Sequence, residues 1–258
     1  MTPPAPIDVP TRETVDFVAA HSPAGTRVLE IGCGAGHVAL VLAHRGYRVT
    51  AIDSDPDSVS AAQQRGACAT KATWPDFTCE PVAAVVLTRS LHHIGSLDEA
   101  VTHCLDVLTP DGLVLVEDFA FETADPATVR WFVETLRSRR ARTLMAPSLD
   151  EFVTELTKSS DPFAAWQLGH DHDLHSWKTM RAALDRHLTI VSEQTVPYLY
   201  RYLVPSLPES NEAVAFVEYV LDAERRGSGS GAVQLIGRRL VACPGKLALV
   251  GRRSKVAS

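Results

Sequence analysis

The 258-residue chain has no apolar run approaching the roughly 18 residues that a membrane-spanning helix requires, which excludes a helical membrane protein. Its opening segment, Met1 to Pro10, is proline-rich and lacks the apolar centre of a secretion signal. Cysteine is scarce. Cys33, Cys68, Cys79, Cys104 and Cys243 are odd in number and form no C-x-x-C pair, which argues against a disulfide framework or a zinc site and for reduced thiols in a cytoplasmic protein. Positive charge is also in short supply: the formal net charge is −6, and Arg and Lys are scattered except at Arg137–Arg140 and Arg252–Lys255. Without a basic stripe, nucleic acid is not an expected partner, and neither is a membrane. The hydrophobic fraction of 45% suffices for one α/β core with insertions.

Glycine is concentrated where it is most informative. Residues Val28 to Ala39 read VLEIGCGAGHVA: a buried-strand pattern, a carboxylate at Glu30, then Gly32, Gly34 and Gly36 before a helix over His37 to His44. Such a strand-to-helix turn lets a ligand lie against the backbone. The dinucleotide fingerprint G-x-G-x-x-G needs its third glycine where His37 stands, whereas Gly36 comes one residue early. Arg48 to Ile52 reads as the next strand and ends at Asp53, about 20 residues beyond the turn, where a carboxylate can accept hydrogen bonds from both hydroxyls of a ribose.

With the SLHHI segment at Ser90–Ile94, these features resemble the class I S-adenosylmethionine-dependent methyltransferases over roughly Thr26 to Asp118. The resemblance implies S-adenosylmethionine as cofactor and a Rossmann-like, mostly parallel seven-stranded α/β sheet. In that sheet the last strand is antiparallel, helices cover both faces and a helical insertion follows the fifth strand. It also implies that Glu30, Gly32, Gly34, Asp53 and Ser54 bind the cofactor. The family often has an acidic residue after the third strand to contact adenine, whereas this chain has Ala69 to Trp74, leaving Thr73, Trp74 or backbone groups for that role. Leu87–Ser90 stands where an Asn-Pro-Pro-Tyr type motif for amino groups of macromolecules would lie, so the expected acceptor is an oxygen or nitrogen of a small molecule, with an aromatic or secondary metabolite as one option. The alternatives are a cofactor-binding protein without methyl transfer and an NAD(P)-dependent oxidoreductase.

The rest of the chain suggests one domain over 1–258, with a core at about 26–118 and 188–252 and a helical lid or insertion at about 119–186. Val82 to Thr88 and Leu113 to Glu117 read as buried strands, with Pro110-Asp111-Gly112 as a turn. Ser96 and Ser148 each open a capping box. Helices are expected over Asp125–Arg140, Ser148–Lys158, Ser176–Arg186 and Asn211–Arg226, and strands over Leu188–Val196 and Leu247–Gly251.

Two histidine groups compete as general base for a hydroxyl or phenol acceptor. His92 and His93 follow the fourth strand, with a backbone-bonded structural role as the alternative. His170, His172 and His175 crowd the segment GHDHDLH, as base, proton relay, divalent-metal site or solvated helix cap; no metal site is assigned, because no closing ligand is identifiable. Tyr198, Tyr200 and Tyr202 alternate in sequence, so an extended chain would place them on one face to wall an acceptor pocket with Arg201, or to pack at a sheet edge. Arg89 can meet the methionine carboxylate or an acidic substrate, or pair with Glu117 or Asp118.

Overall fold

Uncharged runs of Val, Ala, Leu and Ile supply strands that can be buried on both faces, the property a parallel sheet demands. The computed structural model describes residues 4–145, 150–171 and 173–245. Its strands are β1 (Arg27–Ile31), β2 (Arg48–Asp53), β3 (Ala69–Lys71), β4 (Val82–Thr88), β5 (Leu108–Phe119), β6 (Leu188–Val196) and β7 (Gly237–Pro244). They form one sheet in the order β3-β2-β1-β4-β5-β7-β6. Strand β1 pairs in parallel with β2 and β4, with Leu29 opposite Thr50 on one side and Val85 on the other, and β2–β3 and β4–β5 are also parallel. Strand β7 is antiparallel. Chain order reverses at the β1–β4 junction, the switch point at which α/β sheets open a crevice beyond their carboxyl ends.

The helices are α1 (Asp8–His21), α2 (His37–His44), α3 (Pro56–Gln64), α4 (Leu97–Val107), α5 (Pro126–Leu136), α6 (Arg139–Leu144), α7 (Glu151–Lys158), α8 (Pro162–Gly169), α9 (Trp177–His187) and α10 (Asn211–Gly229). The chain divides into two compact units. A sheet unit contains Glu13–Asp118, Trp177–Gln194 and the described residues from Arg238 onward. Its core gathers Val15, Val18, Val28, Leu42, Ala84 and Leu115, all fully buried. Glu117 is buried there too, accepting hydrogen bonds from Thr14 Oγ1 at 2.7 Å and Arg239 Nε at 2.6 Å.

A helical unit comprises the described residues up to Arg12, Phe119–Ser176 and Thr195–Gly237. Its core is more aromatic, with Phe132, Trp166, Tyr200 and Phe216 nearly inaccessible. Aspartates cap its helices: Asp125 accepts from Thr128 N at 2.7 Å, Asp150 from Val153 N and Asp161 from Ala164 N, both at 3.1 Å. The expected Asp125–Arg140 helix is two helices, because Arg137 ends α5 and Ser138 caps α6 by accepting from Ala141 N. Pro162 occupies the first turn of α8, where it costs no hydrogen bond. Helix α10 continues past Gly227 to Gly229, and β5 takes in Pro110–Gly112. Ser96 stands at the start of α4, but its side chain makes no capping bond. Ser148 and Leu247–Gly251 lie outside the described residues, and β7 is the strand seen in this part of the chain.

The tyrosine segment is the largest correction. Leu199–Ser206 is a 3-10 helix rather than an extended chain, so the tyrosines do not line one strand face, and the rings of Tyr198 and Tyr202 meet edge-on at 5.7 Å. Its start is held by Glu224 of α10, whose Oε1 accepts from Tyr198 N at 2.7 Å and Leu199 N at 3.1 Å and whose Oε2 accepts from Tyr200 N at 3.3 Å. Glu224 is fully buried, and burial pushes its carboxyl up to about 7. Removing it strands three buried N–H groups, each a loss of roughly 1–3 kcal/mol. Glu224→Ala is therefore expected to lower unfolding free energy in urea by about 3 kcal/mol or more. A loss below about 1 kcal/mol would show that the carboxylate does not hold this segment.

Candidate active site

At the carboxyl end of β1 the chain turns through Gly32, Gly34 and Gly36 with φ of 73°, 51° and 78°. Gly32 is required sterically as well, since a Cβ there would lie 2.4 Å from the Cβ of Ser90. Ser90 follows β4, is buried, and donates its hydroxyl to Ile31 O at 2.7 Å, which pins the 90–93 segment against the turn. Gly34 differs: a Cβ built on it meets nothing within 4 Å, so this face of the turn is open.

Asp53 fixes that open face. Its Oδ2 accepts from Gly34 N at 2.7 Å and its Oδ1 from Asp55 N at 2.9 Å, so one carboxylate ties the end of β2 to the glycine turn. Each oxygen keeps further lone-pair capacity for a hydroxyl donor. Ser54 beside it is exposed. Below the turn lies Glu30, 1% exposed. Its Oε1 is 3.5 Å from Thr88 Oγ1 and its Oε2 has no hydrogen-bond partner. Desolvation pushes the carboxyl up to about 8. Cys33, within the turn, is buried, and the same cause raises its thiol to about 12, so it stays a neutral thiol near neutrality.

The histidine pair separates in structure. His93 is exposed, whereas His92 is buried in a 3-10 turn, Leu91–His93, with its Nδ1 2.7 Å from Oδ1 of Asp118. Asp118, fully buried near the end of β5, also accepts from His92 N at 3.4 Å. A carboxylate on Nδ1 favours the tautomer that carries its proton on that nitrogen. Arg89 is exposed with φ 55°, unusual for a non-glycine residue, and its N–H donates to Glu117 O at 2.7 Å.

The segment after β3 is held beside Asp53, whose carbonyl accepts from Ala72 N at 2.9 Å. Trp74 is buried with its indole N–H donated to Ala100 O at 3.0 Å, while neighbouring Thr73 is exposed. His170 belongs to the helical unit. Its Nδ1 lies 2.8 Å from Trp166 O and its Nε2 3.0 Å from the hydroxyl of Tyr202, and its ring stacks on Phe121 at 4.9 Å. Both nitrogens thus serve the fold there, beside a cavity of about 460 Å³ lined by Phe121, Phe163 and Trp166 among others. His172 lies outside the described residues, and His175 is half-buried. Among the described residues no group of three or more His, Cys, Asp or Glu is arranged to hold a metal ion. Tyr198, Tyr200 and Arg201 are buried in the same unit, the Arg201 guanidinium lying 5.7 Å and 5.4 Å from the two tyrosine ring centres. Ser90 was expected only as part of the SLHHI segment, and Asp118 only as a partner for Arg89. Asp118 had a legible signal, an acidic pair closing the apolar run LVLVED, but Ser90 is recognisable only from its approach to Gly32.

Fold and site define a doubly wound α/β protein with a glycine turn, tied to the Asp53 carboxylate, at its switch point. Residues 9–196 match the family described as a methyltransferase domain, and the chain belongs to that family. Its sheet is the Rossmann-like sheet of the class I S-adenosylmethionine-dependent methyltransferases. The chain is 35% identical over 108 residues to a trans-aconitate 2-methyltransferase of Mycobacterium tuberculosis (strain ATCC 25177 / H37Ra), covering 40% of this chain and 41% of that one. It is 38% identical over 113 residues to an S-adenosyl-L-methionine-dependent Diels-Alderase of Talaromyces variabilis, covering 37% of each. The chain thus spans about two fifths of the length of these curated relatives. Among solved structures, the geranyl diphosphate C-methyltransferase of Streptomyces coelicolor A3(2) shares the fold with a TM-score of 0.53 and 14% identity, over 92% of this chain and 80% of that one.

Glu30 also gives a stability signature. A carboxyl whose folded-state pKa is raised contributes stability that is fully present below its unfolded value and is lost as pH rises through the folded value, here a window from 4.5 to about 8. Glu30→Gln does not titrate. Its melting temperature relative to the parent is expected to rise between about pH 5 and about pH 8.5, measured without ligand. A difference independent of pH would contradict the burial account.

Proposed function

We propose that this chain is an S-adenosylmethionine-dependent methyltransferase acting on an oxygen or nitrogen of a small molecule. The observation that carries this reading is Asp53, locked onto the amide of Gly34 beside the open face of the turn. The residues fit the cofactor in three respects. Asp53 has acceptor capacity for ribose hydroxyls, Gly34 leaves room for a ligand against the backbone, and the orphaned Oε2 of Glu30 matches a buried ammonium donor. Gly32 keeps the turn closed under Ser90. Ser54 and Thr73, both exposed, are assigned to the adenosine end with backbone amides, whereas the Trp74 indole N–H is already committed to Ala100. Arg89, on the strained residue after β4, is assigned to the methionine carboxylate.

When bound, the cofactor supplies a methyl group activated on a sulfonium, so the protein's tasks are placement and exclusion of water. We assign His92 as the base for an O–H acceptor, with Asp118 holding its tautomer. His93 is secondary because it is exposed, and His170 is set aside because both ring nitrogens are engaged in the fold. Tyr198, Tyr200 and Arg201 are assigned to the framework of the helical unit, and the 119–186 segment is read as an insertion carried by a single methyltransferase domain. Five free cysteines suit a cytoplasmic enzyme, and among the described residues no helix is long and apolar enough to cross a membrane. A second reading, cofactor binding without methyl transfer, is favoured by the similarity to a Diels-Alderase.

Calorimetry with S-adenosylhomocysteine tests cofactor choice. Asp53→Ala is expected to weaken binding roughly 10- to 100-fold, and equal affinity in variant and parent, or a preference for NADH, would overturn the reading. Transfer of a radiolabelled methyl group to a panel of phenols and carboxylates separates the two functions. Turnover with any member supports methyl transfer, whereas tight binding with none supports the second reading. His92→Gln is expected to lower kcat on a phenol by about 10²-fold while sparing a carboxylate acceptor, which has no proton to lose. Equal loss on both acceptors would assign His92 to placement instead.

A further inference from the structure

Among the described residues, Glu30 stands apart from the other buried carboxylates. Glu117 meets Arg239 and Thr14, Asp118 meets His92, and Glu224 collects three backbone amides. Glu30, as inaccessible as these, has a long hydrogen bond to Thr88, a backbone hydrogen bond from Ala39 at the start of α2, and an oxygen, Oε2, with no partner. An ionised carboxylate so placed would suffer its full desolvation cost, whereas a protonated one would not. The Thr88 hydroxyl and the Ala39 backbone N–H favour the ionised form but offset that cost only in part. Asp53, from β2, opposes ionisation; Arg89, after β4, favours it but is exposed to solvent; Cys33, in the turn, is held as a neutral thiol. Burial is the largest influence and pushes the carboxyl up to about 8.

We propose that Glu30 carries a proton in the cofactor-free protein and that the ammonium of S-adenosylmethionine displaces it, so that cofactor binding releases one proton to solvent. This rests on reading the glycine turn as the cofactor site. The balance is simple. An α-ammonium with an ordinary pKa of about 7.7–8.0 is still charged near pH 6.5, so an O–H on Glu30 is exchanged for an N⁺–H···O⁻ contact and one H⁺ passes to the buffer. No covalent bond to carbon changes. Cofactor affinity then rises about tenfold per pH unit across the range where Glu30 is protonated, and levels off as both groups titrate near neutrality and above. The adenosine moiety takes no part in this exchange.

The test is calorimetry of the native protein at about pH 6.5 in buffers of different ionisation enthalpy, using S-adenosylhomocysteine and, as a probe without the amino-acid arm, 5′-methylthioadenosine. The expected result is release of about one proton with S-adenosylhomocysteine and none with 5′-methylthioadenosine. Glu30→Gln, checked for folding by circular dichroism, is expected to bind S-adenosylhomocysteine more weakly, with no proton release at about pH 6.5 and no dependence of affinity on pH below about pH 7, where the ammonium stays charged. Binding of S-adenosylhomocysteine by the native protein without proton release would overturn the proposal and leave the cofactor reading standing. Equal release with 5′-methylthioadenosine, or from a folded Glu30→Gln variant, would overturn Glu30 as the source. Failure of the native protein to bind either compound would overturn the cofactor reading itself. If the variant does not fold, the two ligands on the native protein still decide the matter.

Discussion

A single carboxylate, that of Asp53, holds two backbone amides that would otherwise be free to move: Gly34 in the turn after β1 and Asp55 at the start of α3. The remaining site geometry is built on this clasp. With the turn fixed, Gly32 allows Ser90 to pack within ordinary contact, and the hydroxyl of Ser90 closes on Ile31 O. The segment after β4 is thereby brought over the carboxyl end of β1, with Glu30 beneath it and His92 two residues further on. A parallel sheet makes this possible because adjacent strands deliver their carboxyl ends to the same edge, where side chains separated by tens of residues converge.

Buried carboxylates divide the structure into parts that support the fold and parts held ready for a ligand. Glu117 and Glu224 are satisfied by partners whose removal would cost stability, and their role is complete within the chain. Asp118 is satisfied by a histidine, and such a pair fixes an imidazole as much as it stabilises a fold. Glu30 is left incomplete. Natural structures rarely leave a buried acceptor unmatched, and an unmatched one at a switch point is where a ligand donor belongs.

Legibility in the sequence followed the range of the interactions involved. The glycine turn, Glu30 and Asp53 were readable because strand, turn and helix are contiguous and their spacing is set by backbone geometry; the strand runs were readable because burial on both faces leaves an unbroken apolar signature. The path of Tyr198–Tyr202 was not. Alternation suggested an extended chain, but Glu224, some 25 residues later, gathers three amides and coils the segment into a 3-10 helix. Likewise His170 looked like chemistry because histidines cluster around it, whereas Trp166 O and the Tyr202 hydroxyl occupy its nitrogens. Helix breaks at Arg137–Ser138 and the start at Pro162 depend on caps whose meaning is local but ambiguous, since the same residues also mark loops.

The central claim, that the Asp53 clasp and the unmatched Glu30 together form a cofactor site, is tested most directly by a crystal structure of the chain with S-adenosylhomocysteine. The expected density places the ribose hydroxyls on the Asp53 carboxylate, the ligand backbone against Gly34, and the ammonium within hydrogen-bond distance of Glu30 Oε2. A ligand bound away from the glycine turn, or one at the turn with Asp53 and Glu30 both untouched, would contradict it.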